Sequence, residues 1–432
     1  MFPLAAAASL SGLGIPEPLG PFGGVTGEGA VALPETPATW AEGAEIVADV
    51  GVLGTRYSYQ LHGADTTTTE GVTPVPSLGV FVPIGPVGVG LAGFAPFGRG
   101  GQGPDARDPG RYHAGRTSLQ VLEGDLSLAV HPHADWTFGA GFRLAYTRFT
   151  STRIVDTGTV LYGLAGPEGG VPLQDPFLEG TQQVDLAGVG FSWSGGARFR
   201  HEGWGADLAV RGPLAVDVAG SISYIPSNDL SMRIEGQAVT HFHFPADVAL
   251  GMRLPVGRST LGGEAAWIGW SSASLIHTEL SDLRVTSSDA TMETLLDSYG
   301  ITDAAFLGSL DEVVTNSGTQ DIVTGGAWIE VPLGERGRGR LGAWYAPTAI
   351  PEDHVHPGNV DFATADVRIA AARSFGTFEG ALSLDAFFAG ARDVQESVYS
   401  PTNRSSTGTA LPPGEGLYSL FGARLEIGRA HV

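Results

Sequence analysis

Apolar and polar residues alternate with period two through most of the chain. From Trp204 the even positions read Trp204, Ala206, Leu208, Val210, Gly212, Leu214, Val216, Val218, Gly220, Ile222 and Tyr224. Asp207, Arg211, Asp217, Ser221 and Ser223 fall between them. Successive strand side chains point to opposite faces, so the pattern predicts one strand with an unbroken apolar face. Trp136, Phe138, Ala140, Phe142, Leu144 and Tyr146 alternate likewise with Thr137, Gly139, Gly141, Arg143 and Thr147. So do Phe378, Gly380, Leu382, Leu384, Ala386 and Phe388 with Glu379, Ser383 and Asp385. Strands of soluble sandwiches average about five or six residues. These are roughly twice that, the length of a tilted strand crossing a bilayer, and their terminal aromatics fit interfacial girdles.

Fourteen strands are predicted, at 45–60, 76–84, 87–97, 115–131, 136–154, 183–200, 204–224, 237–255, 260–280, 319–333, 339–350, 361–375, 377–393 and 416–426. Short connectors at 84–86, 132–135, 201–203, 256–259, 334–338 and 376–377 alternate with long polar ones that include 155–182, 281–318 and 394–415. Short turns on one rim and long loops on the other mark an outer-membrane barrel, the long set outside. The expected fold class is therefore all-β, a fourteen-stranded antiparallel transmembrane β-barrel over 45–426. Among sheets, only a closed barrel satisfies every backbone group in lipid. The apolar stretch PSLGVFVPIGPVGVGLAGFAPFGRGG at 76–101 has the length of a membrane helix, but Gly and Pro interrupt it throughout. It reads as a hairpin turning at PIGP. A wide barrel needs its lumen filled, and the Gly- and Pro-rich segment 18–44 is the candidate plug.

Composition removes alternatives. Of 432 residues 64 are Gly and 28 are Pro, yet 42% are hydrophobic, a combination that disordered chains do not show. Mean hydropathy is +0.08. The absence of Cys excludes a disulfide framework, a thiolate metal site and a cysteine nucleophile. A net charge of −22, with Arg as the sole basic residue apart from His, argues against nucleic acid, which needs clustered cations. Residues 1–17, with FPLAAAASLSG, resemble a secretory signal lacking its charged start. At the other end EIGRAHV matches the translation of a common sequencing adapter, so 427–432 is expected to be a non-native tail.

Several runs resemble one family, the FadL- and TodX-type outer-membrane transporters of long-chain fatty acids and aromatic hydrocarbons. SGLGIPEPLGPFGGVTGEGAVALPETPATW at 11–40 is similar to that family's N-terminal hatch, with Thr36-Pro37-Ala38 where the family carries Asn-Pro-Ala. The run from Arg111 to Phe149 resembles the fourth and fifth strands, that from Phe242 to Ser271 the eighth and ninth. GAWYAPTAIPEDHVHPGNVDF at 342–362 looks like the Pro-rich sixth outer loop. The resemblance implies a hatch that includes Gly27, Glu28, Gly29, Pro37, Ala38 and Trp40. It implies that a hydrophobic ligand meets the outer loops, enters an apolar pocket above the hatch, and leaves sideways at a kink in the third strand. Here that strand carries Phe94, Pro96, Phe97 and Gly98, and Pro96 lacks a ladder donor.

The function so implied is passive uptake of fatty acids or hydrocarbons by a monomer bathed in outer-membrane lipid and lipopolysaccharide. A nonspecific polar-solute porin and a structural or adhesive surface barrel are the alternatives. One departure is the long fifth outer loop, 281–318, with helix-like spacing at Met292, Leu295, Leu296 and Tyr299, a candidate lid. Three His-x-His pairs, His131/His133, His241/His243 and His354/His356, each offer two imidazoles. A metal needs further ligands, and spacing supplies none. No G-x-S-x-G elbow occurs, so neither cofactor nor enzymatic activity is expected. Arg143, Asp207, Arg211, Asp217 and Glu379 are expected as paired charges inside the barrel. Trp193, Ile268, Trp270 and Phe387 fall on apparently inward positions and are the candidate ligand pocket.

Overall fold

The alternating runs form strands of one antiparallel sheet in a computed structural model that describes residues 25–61, 66–101, 116–156, 179–226, 232–287, 289–290, 294, 297–298, 312–355, 361–394 and 416–431. Six strands run unbroken at the start: β1 (Glu45–Leu61), β2 (Thr67–Ile84), β3 (Val87–Gly101), β4 (Arg116–His133), β5 (Trp136–Asp156) and β6 (Glu179–His201). Then the segments come in tandem. β7 (Trp204–Arg211) is continued by β8 (Leu214–Pro226), and β9 (Met232–Phe244) by β10 (Asp247–Val256). β11 (Ser259–Ile268) is continued by β12 (Leu275–Ser287), and β13 (Glu312–Asn316) by β14 (Ile322–Pro332). β15 (Gly337–Ala346), β16 (Thr364–Phe375), β17 (Phe378–Ala389), β18 (Arg392–Val394) and β19 (Gly416–His431) complete the sheet. β1 pairs with both β2 and β19, and β19 with β17, so the sheet closes on itself. No described helix is long and apolar enough to cross a membrane.

The short turns tighten the closed wall. At the β6–β7 turn Glu202 and Gly203 both have positive φ, 48° and 84°, the twist that joins antiparallel strands through two residues. β2 begins nine residues before the expected position 76, and β12 and β13 reach into the segment expected to be loop. Residues 427–431 pair with β1 and β17 within β19. The 1–17 leader, most of the long loops and the lid residues Met292, Leu295, Leu296 and Tyr299 lie outside the described residues.

The tandem breaks have a consequence that simple alternation missed. In β7 the even residues Trp204, Ala206 and Leu208 face outward, with Asp207 and Arg211 inside. One residue more lies on the β7–β8 side than on β6 between the pairs Ser194–Arg211 and Phe191–Ala215. That extra residue, at Gly212-Pro213, reverses the parity. In β8 the even residues Leu214, Val216, Val218 and Ile222 are therefore buried inside. Asp217 points out, its side chain 71% exposed, and bonds His241 at 2.7 Å. This corrects both the expected unbroken face and the lumenal placement of Asp217. Pro245-Ala246 does the same between β9 and β10, where Phe244 and Asp247 both end up inside. Proline has no N–H for the ladder, so the break falls where it costs least.

Because the chain has no cysteine, one introduced thiol reports on one position. Asp217→Cys should react with a membrane-impermeant maleimide on intact cells, and Val216→Cys should not. The opposite pattern would mean that the face is not reversed.

Candidate functional site

Reversal divides the lumen into two layers. The lower layer has a lipid-type exterior, with Phe142, Leu144, Val189, Phe191, Leu250 and Leu384 exposed on the outer face. Its interior is ionic. Arg143 pairs with Glu123 on neighbouring strands. Arg198 Nε donates to Asp207 at 2.7 Å, and Arg211 Nε to Asp247 at 2.7 Å. Arg340 reaches Glu330 at 2.9 Å, Arg368 reaches Asp385 at 2.6 Å and Arg338 reaches Glu379 at 2.7 Å. Charges out of bulk water must be paired and hydrogen-bonded, and this layer is built that way. Of the charges expected inside, Arg143, Asp207, Arg211 and Glu379 belong to it.

Residues 25–40 lie inside this layer and are fastened to it. Arg198 donates to the carbonyls of Val25, at 3.0 Å, and Gly27. Thr26 N donates to Glu264 at 3.1 Å, and Ala30 N to Glu45 at 2.9 Å. Glu28 pairs with Arg253 and Arg200, and Trp40 stacks on His131 with ring centroids 4.7 Å apart. Glu35 sits 3.4 Å from Arg211, whose guanidinium is already engaged by Asp247. Burial lifts the Glu35 carboxyl above its ordinary range, Arg211 offsets part of this, and Asp247 and Glu264 push it further up. Thr36 Oγ1 accepts the Ala38 N–H at 3.2 Å, a turn that an Asn side chain can also make. Thr36 thus supplies a short polar acceptor in the Thr36-Pro37-Ala38 turn.

Wall glycines admit the segment. A Cβ at Gly139 would stand 2.2 Å from the Pro37 carbonyl, and one at Gly196 2.6 Å from Thr36 Oγ1. Gly90 makes the same room for Leu33, and Gly251 for Val25 and Thr26.

Above this layer the interior is apolar. Leu119, Val121, Phe149, Val184, Leu186 and Leu214 join Val216, Val218, Phe242, Phe244, Ile268 and Trp270 in one buried cluster. At this height the outer face turns polar: Arg148 pairs with Asp185 at 3.0 Å and Glu235 with Arg233 at 2.7 Å. Residues 347–355 fold over the top, Ala349 in this cluster and Ile350 and Val355 in a second with Tyr59, Phe362 and Val394. Ile268 and Trp270 of the expected pocket are therefore in the cluster. Phe387 is buried but outside it, and Trp193, 55% exposed beside Phe191, faces lipid. The parity of β6 places even residues such as Ser192, Ser194 and Arg198 inside, which corrects Trp193. Phe242, Phe244 and the even residues of β8 were missed, and the signal for them was the Gly-Pro and Phe-Pro steps that interrupt the alternation.

The wall parts at the boundary between the layers. β2 pairs with β3 from Ile84–Val87 only as far as Leu78–Gly93, although β2 continues to Thr67 along β1. Beyond Gly93, β3 pairs with β4 alone. There Phe94 lies opposite Glu123 and Phe97 opposite Val121, so Ala95-Pro96 contains one extra residue. Val121 belongs to the apolar cluster and Glu123 to the ionic layer.

Of the paired histidines, His243 is exposed on β9 and His356 lies outside the described residues; the others meet neighbouring side chains. His131 meets Thr137 at 2.9 Å, His133 and His354 meet Asp135 and Asp353, and no group of three metal-ligating side chains exists among the described residues. An open cleft of about 1150 Å³ at the short-turn rim, lined by Leu333, Arg336, Phe375, Phe378, Glu379 and Ile427 among others, borders the ionic layer at Glu379 and lies away from the apolar cluster.

These features define a membrane barrel whose interior is apolar above an ionic layer. No family model and no curated protein matches the sequence. Solved structures do share the fold. A Pseudomonas aeruginosa FadL homologue aligns with a TM-score of 0.74 at 14% identity, over 97% of this chain and 96% of that one. The Pseudomonas putida toluene transporter TodX aligns at 0.68 and 13% identity, over 100% and 98%. The Ralstonia pickettii toluene transporter TbuX aligns at 0.60 and 16%, over 97% and 100%. The chain thus has the FadL-type barrel fold over nearly its whole length.

Gly139→Val should push the Pro37 carbonyl from its seat, an overpacking worth about 1–3 kcal/mol. The expected result is new single-channel conductance in planar bilayers from a barrel that still assembles. Unaltered conductance would show that residues 25–40 do not depend on this contact.

Proposed function

We propose that this chain is an outer-membrane channel for passive uptake of small hydrophobic molecules, which bind in the upper chamber and leave sideways between β2 and β3. The observation that carries the reading is the coincidence of the wall's parting with the floor of the chamber, at Val121 and Glu123. The nineteen segments amount to fourteen passes, and residues 25–40 act as the plug. A monoaromatic ring that removes about 150 Å² from water gains about 4 kcal/mol, near a millimolar dissociation constant. That is enough to collect the ligand and little enough to release it. Continuing downward would require parting buried ion pairs, at about 3–5 kcal/mol each. The lateral path avoids this cost. The similarity in fold to the toluene transporters TodX and TbuX supports the ligand class. A polar-solute pore is disfavoured by the filled lower lumen.

The double substitution Pro96→Val with Gly98→Val restores a ladder donor at 96 and stiffens the strand. Uptake of a labelled hydrocarbon into cells should be lost while the barrel remains folded in the membrane. Uptake at the original rate would refute the lateral route.

A further inference from the structure

We infer that the open cleft on the outer wall at the short-turn rim binds one anionic phospholipid, its phosphate on Arg373 and Arg336 and an acyl chain against the wall. The site is separate from the uptake route proposed above. In β16 the residues Val367, Ile369, Ala371, Arg373 and Phe375 alternate outward, while Asp366, Arg368, Ala370 and Ala372 are buried inside. Arg373 therefore stands on the face turned to lipid. Its cross-strand neighbours are Gly337 of β15 and Gly380 of β17, and Ala371 lies between Gly339 and Leu382. On the β15 side Leu333 folds over the glycines, where a Cβ at Gly339 would stand 3.1 Å from it. On the β17 side Gly380 leaves an open seat, since the nearest described atom to a Cβ there would be in the Phe375 ring, 3.8 Å away. The result is a hollow walled by Leu333, Phe375, Phe378 and Leu382.

An arginine at such a depth lays its stem along the apolar wall and keeps its head at the interface. Here the guanidinium lies over the Phe375 ring, 5.6 Å from its centroid, which holds it at the rim. Arg336, in the β14–β15 turn, lines the same cleft. Of the two carboxylates in the lining, Glu379 is engaged by Arg338 at 2.7 Å, which leaves Arg336 and Arg373 against Glu335. The cleft is thus cationic in a chain of net charge −22. Guanidinium groups offer forked donors that match phosphate oxygens, and the hollow beside them matches an acyl chain. A free phosphate would use only the arginines, and a hydrocarbon only the hollow. A phospholipid uses both, at the height where headgroup and chain meet.

Native mass spectrometry of the full chain in detergent micelles tests the site, with phosphatidylglycerol and phosphatidylcholine of identical acyl chains as probes. Heat-modifiable gel mobility first shows that each variant is a folded barrel. One phosphatidylglycerol should be retained about fivefold more tightly than phosphatidylcholine or better, and Arg373→Gln should remove most of that preference. Gly380→Leu fills the hollow, leaves both arginines and should weaken both lipids. Arg258→Gln, in a different short turn, should change neither. Retention indifferent to headgroup, or lowered as much by Arg258→Gln as by Arg373→Gln, would overturn the inference. So would phosphatidylglycerol binding that Gly380→Leu leaves unchanged, since the arginines would then act as bare surface charge. Displacement of the lipid by an equal concentration of glycerol phosphate, or a dimer that Gly380→Leu disperses, would also overturn it, in favour of a free anion or a second copy of the chain.

Discussion

The structure depends on which face of the wall meets lipid at each height. In the lower layer lipid touches the outside, so apolar residues such as Phe191 and Leu250 face out and the polar ones are confined within. Confined charges have no bulk water to solvate them, and each arginine there is set against a carboxylate. Above, water touches the outside, and the wall takes the polarity of a soluble protein: charged outside, apolar within. The same strands therefore carry opposite patterns at their two ends.

Two devices achieve the change. Strands β7–β10 reverse parity abruptly, through one extra residue at Gly212-Pro213 and a proline step at Pro245-Ala246. Strand β5 keeps its parity and changes residue type instead, from Tyr146 to Arg148 outside and from Arg143 to Phe149 inside. Both give the same result, an apolar interior resting on an ionic floor that residues 25–40 complete. β2 parts from β3 at that floor, and the proposed lateral route leaves there because it would cross no ion pair.

Much of this was legible in the residues. Alternation in β5 and β17, the short-turn positions and the break at Pro96 all follow from local rules that the barrel obeys. The failures have one physical source. A single inserted residue flips every side chain beyond it, so Asp217 and the apolar side chains of β8 were assigned to the wrong faces. Trp193 was misplaced because Gly, Ser and Trp alternate in FSWSGG without a clear polar face. The floor is a set of pairs made mostly between neighbouring strands, with Arg338 reaching Glu379 across β16, and sequence order does not reveal partners such as Arg211 and Asp247, 36 residues apart.

The central claim is that hydrophobic ligand occupies the upper layer, reaches the wall at β3, and never enters the ionic floor. Anomalous diffraction from crystals soaked with a brominated hydrocarbon would test it most directly. The account predicts bromine peaks among Phe149, Phe242, Phe244 and Trp270 and beside the bulge between Phe94 and Phe97. Bromine density below Glu123 and Arg143, within the ion pairs, would contradict it.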